Sequence, residues 1–166
     1  MLVCAMKRLT LSSDACLETL ALMIHMAWAD GRLEDSEKTG VRAAADVFNL
    51  TKELRARLDE ILEKPISLEE LLLDGLSARD KAFAFVAATW MTGVDDDIDP
   101  KEQDTLDKLA ELLGFTSDRK KELTAIARDL ESVRGEDWSQ DVIKLFRAIP
   151  QRLEGDGSES FEVAFD

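Results

Sequence analysis

The sequence predicts an all-α fold of about seven helices in which a three-helix unit occurs twice. Three observations lead there. Apolar residues recur at i, i+3, i+4 and i+7 along most of the 166 residues. Glycine and proline number only 8 and 3, few for a chain this long, while Ala, Leu, Glu, Lys and Asp dominate. Residues 12–63 find matching apolar, acidic and turn positions in residues 77–128. At 45% apolar the chain can build a real core, and its length suits one domain, taken as residues 1–150.

The elements follow in order. Leu20, Met23, Ile24 and Ala27 form the stripe of a first helix. Val41, Ala44, Ala45 and Phe48 mark a second, and Leu54, Leu58, Ile61 and Leu62 a third, which Pro65 ends. Ser67 followed by Glu70 is a capping-box pattern opening a short helix, LEELLLDGL. Ser77 can cap the next helix, whose apolar face is Phe83, Val86, Ala87 and Trp90. Asp99-Pro100 with Glu102 starts another: an acidic cap, then Pro at the first helical position. Leu106, Leu109, Leu112 and Leu113 follow, and Gly114 suits the stop. Leu123, Ile126, Ala127 and Leu130 make a further stripe, and Trp138, Val142, Leu145 and Ile149 a last helix before Pro150. Only SFEVAFD alternates like a strand. It follows EGDGSES, so residues 151–166 are expected to be a flexible acidic tail, with docking as an extended piece the alternative, and deleting residues 154–166 to leave helicity and thermal midpoint nearly unchanged.

Displacing the chain by 65 residues sets WADGRLEDSEKTGVRAAADVFNLT on GVDDDIDPKEQDTLDKLAELLGFT. Asp30 falls on Asp95, Leu33 on Ile98, Glu34 on Asp99 and Glu37 on Glu102. Helical periodicity alone yields apolar coincidences. It does not yield matched acids, turn and caps together, so a duplication is expected, each unit burying its apolar face against the other.

A net charge of −14 and a sequence pI near 4.5 argue against nucleic acid and anionic membrane as partners and leave basic or cationic ones. The opening MLVCAMKRLTL is too short in apolar run for a signal peptide, and no stretch approaches the roughly 20 apolar residues of a membrane span. Cys4 and Cys16 are the only cysteines, which fits a reduced, cytoplasmic protein.

Against this background GVDDDIDPKEQD, residues 93–104, packs in six carboxylates. Glu34, Asp35, Asp99 and Glu102 are accounted for as acids at a helix start, each worth about 0.3–1 kcal/mol against the macrodipole. Asp30 and Asp95 end the preceding helix, where the dipole disfavours anions, and Asp97 has no capping role. A divalent cation there would meet carboxylates and terminal carbonyls together, and hard oxygen donors suit Ca²⁺, Mg²⁺ or Mn²⁺. The candidate ligands are Asp30, Glu34, Glu37, Asp95, Asp97, Asp99 and Glu102. Neither turn contains Cys or His, which argues against zinc. An EF-hand is excluded, because Pro100 stands where its glycine is needed and Leu106 where its bidentate glutamate is needed.

ADGRLEDSE followed by a helix and FNL, echoed by DDDIDPKE followed by a helix and LGF, resembles the tellurite-resistance TerB family and TerB-like domains. The resemblance spans roughly residues 12–130. It implies an all-helical, duplicated fold with an acidic, cation-binding surface around these turns, and a part in a stress response or membrane-associated assembly. Carried over by motif, Asp30 and Glu37 match the first turn and Asp95 and Glu102 the second. Val94-Asp95-Asp96 departs from the usual Ala-Asp-Gly.

An enzyme is not expected. His25 is the sole histidine, no phosphate-binding glycine loop occurs, and neither cysteine has a neighbouring histidine. Trp28, Trp90 and the methionines at 23 and 26 are expected in the core. The expected function is binding of divalent cations or basic protein surfaces at the acidic turns. The alternatives are a metal-free acidic interaction module and, more distantly, a metal-dependent hydrolase sited at the same turns.

Overall fold

Two helices have lost their polar face, and the others are arranged around them. In the computed structural model, which describes residues 7–11, 13–28, 35–48, 50–64, 76–91, 100–133, 135, 138–154 and 161–165, the order is β1 (Lys7–Leu11), α1 (Ser13–Trp28), α2 (Asp35–Val47), α3 (Lys52–Glu63), α4 (Ala78–Met91), α5 (Pro100–Leu113), α6 (Ser117–Asp129), a 3-10 turn (Leu130–Val133), α7 (Trp138–Glu154) and β2 (Phe161–Phe165). Every residue from Ala82 to Trp90 in α4 is buried, as is every residue from Ala15 to Ile24 in α1. A helix buried around its circumference has to be central. α1 and α4 accordingly make the most extensive helix–helix contact among the described elements, with α3 on α1 and α6, α5 and α7 on α4. The fold is all-α, with one small two-stranded ribbon added at the chain ends.

The duplication is legible in the element boundaries. α3 and α6 are capped by Thr51 and Thr116 (116 − 51 = 65), whose hydroxyls accept from the backbone N–H of Leu54 at 3.2 Å and of Arg119 at 3.1 Å. α2 starts at Asp35 and α5 at Pro100, again 65 residues on (100 − 35 = 65). The buried positions correspond too: Val41 with Leu106, Ala44 with Leu109, Phe48 with Leu113, Leu58 with Leu123. Ser77 caps α4 by accepting from the N–H of Asp80 at 3.1 Å. α5 ends at Gly114, whose φ of +78° places it in the left-handed region. There Gly114 N–H donates to Glu111 O at 3.1 Å and Phe115 N–H to Ala110 O at 3.0 Å, the paired bonds of a Schellman stop.

α7 joins the two units. Phe146 stacks on Phe48, just past the end of α2, with centroids 4.8 Å apart and meets Phe83 of α4 edge-on at 4.9 Å. Such ring pairs add about 0.5–1.5 kcal/mol beyond their burial. The domain boundary expected at residue 150 falls inside this helix, which runs through Pro150 to Glu154. Proline in a helix interior removes one N–H and costs about 3 kcal/mol. The buried row Val142, Leu145, Phe146 and Ile149 before it, and Leu153 packed on the core after it, offset that cost. The expected flexible tail is corrected for its last part as well. Phe161–Phe165 pairs in parallel with β1, Lys7 opposite Phe161 and Leu11 opposite Phe165, and β2 also touches α7. The alternating pattern of SFEVAFD finds a partner in KRLTL, so deletion of residues 154–166 is now expected to lower the thermal midpoint. The short helix expected at LEELLLDGL lies outside the described residues.

One charge is buried in the central pair. Glu18 of α1, whose side chain is 5% exposed, meets Arg57 of α3. Arg57 Nη2 donates to Oε2 at 3.3 Å, while Nε lies 3.2 Å from Oε1 without hydrogen-bond geometry. Removing one partner of a buried pair takes away much of the other's compensation. Arg57→Ala is therefore expected to cost about 3 kcal/mol in urea unfolding, while Glu18→Leu with Arg57→Leu stays within about 1 kcal/mol of the unmodified protein. A cost for Arg57→Ala no greater than that of a surface substitution would sink this account of the pair.

Candidate functional site

The two acidic turns connect α1 to α2 and α4 to α5. Each therefore follows one of the two central helices in the chain and precedes a helix packed outside that pair. The turn residues Asp30, Glu34, Asp95, Asp97 and Asp99 lie outside the described residues. Glu37 and Glu102 are placed by their backbone alone: each is the third residue of its helix, in the first turn of α2 and of α5. Carboxylates there face the positive end of the helix dipole and lie next to the acidic turn in the chain. Asp35 opens α2 in an exposed position. Among the described residues no group of three or more His, Cys, Asp or Glu is arranged to hold a metal ion.

Ion pairs fix the second helix of each turn against the third helix of its unit. In the first unit Arg42 of α2 reaches Asp59 at 3.4 Å and Glu63 at 3.6 Å on α3, and Arg55 of α3 reaches Asp46 of α2 at 2.8 Å. In the second unit Lys120 of α6 donates to Asp107 of α5, and Gln103 Nε2 donates to the same carboxylate oxygen at 3.0 Å. The Lys120 hydrogen bond chiefly, and that of Gln103 after it, hold the Asp107 carboxyl below the usual carboxylate range. These pairs are half exposed, so each is worth no more than about 1 kcal/mol. Their effect is to hold α2 against α3 and α5 against α6.

The aromatic residue leading into the second turn is a core group, as expected. Trp90 is fully buried, and its indole N–H donates to the Leu130 carbonyl at 3.0 Å, tying α4 to the 3-10 turn. Met23 and Met26 are buried as well, and His25 is half-buried between Ile24 and Met26. The Trp28 side chain lies outside the described set. A cleft of about 440 Å³ between α4, the α5–α6 connection and α7 is lined by Arg79, Lys81 and Arg119 over Leu113, Phe115 and Leu153. Arg79 engages Asp80 at 3.8 Å and Arg119 engages Glu122 at 3.0 Å. Sequence reasoning did not find this cleft, because its cations come from two helices far apart in the chain.

Among the described residues, no helix is long and apolar enough to cross a membrane. A family profile described as "Protein of unknown function (DUF533)" matches residues 9–127, which takes in both units from the end of β1 through almost all of α6. No curated protein matches the chain, and no solved structure does.

Cys16 gives a direct measure of how closed the core around α1 is. It is a free, fully buried thiol on α1. Burial pushes it up to about 12, with the nearby Asp80 carboxylate adding to the rise. The native protein thus keeps this proton over a range where the unfolded chain, ionising near 9.0, has released it. Stability is therefore lost as pH climbs from about 9 toward 12, at up to about 1.4 kcal/mol per pH unit. In a Cys4→Ser background, thiol labelling of Cys16 at pH 8 should proceed only as fast as the protein opens, and Cys16→Ala should flatten the alkaline fall in stability. Rapid labelling of the folded protein would refute the closed core.

Proposed function

The chain belongs to the DUF533 family, and from that premise we propose that it is a TerB-like helical module that binds divalent cations, and through them or beside them protein surfaces of basic character, at its two acidic turns. The observation that carries this reading is the equivalence of the two turn contexts. α1 and α2 correspond to α4 and α5, the following caps lie 65 residues apart (116 − 51 = 65), and a glutamate is the third residue of both entering helices. Asp30 with Glu37, and Asp95 with Glu102, supply a carboxylate pair on each side. Asp97 and Asp99 add ligand capacity to the second turn, as Glu34 does to the first. The expected ions are Ca²⁺, Mg²⁺ or Mn²⁺, which take carboxylate and carbonyl oxygen. A cytoplasmic, tellurite-type stress role is part of the same proposal and rests on the TerB resemblance.

A cation that binds only the native state stabilises it by about 2.7 kcal/mol at a hundred times its dissociation constant. For a domain of this size that is roughly 5–10 °C in thermal midpoint. We expect such a rise with a divalent ion, beyond that given by monovalent salt at equal ionic strength, since screening alone stabilises a chain of net charge −14. Asp95→Asn with Glu102→Gln should remove most of the specific rise. Asp30→Asn with Glu37→Gln should remove less, because that turn has fewer carboxylates and contains Arg32. No ion-specific rise in the unmodified protein would leave the metal-free acidic interaction module as the better reading.

A further inference from the structure

The two units carry grooves at the same place with opposite charge. On α3 a groove of about 490 Å³ is lined by Asp59, Glu60, Glu63 and Lys64. On α6 a groove of the same size, about 490 Å³, is lined by Lys120, Lys121 and Arg128 with Thr124 and Ala125 between them. The duplication sets Asp59, Glu60 and Glu63 on Thr124, Ala125 and Arg128. Glu63 thus gives way to Arg128, Asp59 and Glu60 to uncharged residues and Ala56 to Lys121, while Lys120 stands where the first unit already has Arg55; the prevailing sign of the surface reverses, within a chain of net charge −14.

The fold does not account for this reversal. Packing of α6 on α5 uses Lys120, through Asp107. Lys121 and Arg128 are exposed and enter no ion pair among the described residues. Glu60 is likewise exposed, and Asp59 and Glu63 share the single guanidinium of Arg42 at 3.4 and 3.6 Å.

We propose that the basic α6 surface docks the acidic α3 surface of a second copy of this chain, setting Glu60 and Glu63 of one against Lys121 and Arg128 of the other. The occupant follows from charge complementarity: Lys121 and Arg128 on α6 lack acidic partners among the described residues, and the chain's own α3 presents Asp59, Glu60 and Glu63 with only the Arg42 guanidinium between them. The contact joins unlike surfaces, so it appears as a concentration-dependent rise in mass. Two copies of −14 also repel at long range. Ionic strength near physiological shortens the Debye length to about 8 Å, which screens the distant charges and leaves contacting pairs. Association should therefore pass through a maximum at intermediate salt.

The test is sedimentation equilibrium of the full chain across a salt series, with two charge-reversed variants. Lys121→Glu with Arg128→Glu makes both grooves acidic, and Glu60→Lys with Glu63→Lys makes both basic. Each alone should weaken association by about tenfold or more, and an equimolar mixture should restore it. The second variant is decisive: two Glu→Lys changes move the net charge from −14 to −10 (−14 + 4 = −10), so general repulsion falls while the specific contact is lost. Circular dichroism checks that each variant folds, and Lys121→Gln with Arg128→Gln, expected to be intermediate, replaces any that does not. An unmodified protein that stays monomeric at every salt concentration overturns the proposal. So does association that survives both reversals, or a mixture that fails to recover it.

Discussion

The rest of the structure depends on the burial of α1 against α4. Both helices are enclosed on every side, so neither can sit at the surface and each requires a layer of amphipathic helices around it. α3 covers α1 and α6 covers α4, one from each unit, which leaves a remainder that α7 and the terminal ribbon complete. The acidic turns are direct extensions of this central pair.

The units are alike in outline and different in the contacts that hold them. Glu18 in the first is replaced by Phe83 in the second, so a buried ion pair between α1 and α3 corresponds to an aromatic contact between α4 and α7. Arg42 in the first is replaced by Asp107 in the second: the first unit clasps its second and third helices with pairs of both polarities, Arg42 to Asp59 and Arg55 to Asp46, and the second, among the described residues, with Lys120 to Asp107. Both solutions satisfy the same demand. A peripheral helix must be held in register, and the sign of the pair that holds it is immaterial to the core. That freedom lets the outer surfaces of α3 and α6 diverge in charge without altering the fold.

Phe146 is where the internal symmetry ends. A duplicated unit presents two similar faces, and one unpaired helix has to serve both. α7 does so by placing a single ring against Phe48 of the first unit and Phe83 of the second. The ribbon acts at the other extreme of the chain. β1 and β2 are parallel, which demands a long connection between them, and here that connection is nearly the whole domain. A two-stranded ribbon is marginal alone, and contact with α7 anchors this one.

Much of this was written in the sequence. The helices, the Ser77 cap, the Pro100 start, the Gly114 stop and the pairing of the units are local or periodic properties, and helical period and capping chemistry are set by residues a few positions apart. The core positions Trp90, Met23 and Met26 followed from the same periodicity. The acidic turns could be located and matched for the same reason. What tertiary structure decided lay at longer range. Glu18 appeared as one acid in an apolar stripe until Arg57, 39 residues away, came beside it. Pro150 signalled an end that burial of the flanking α7 face overrode. SFEVAFD had no partner until the fold brought the first residues of the chain to it. Opposed grooves on α3 and α6 emerged only when the ion pairs that use some of their charges, and leave others, were in place. In each case the deciding energy comes from groups far apart in the chain, and only the folded arrangement says which of them meet.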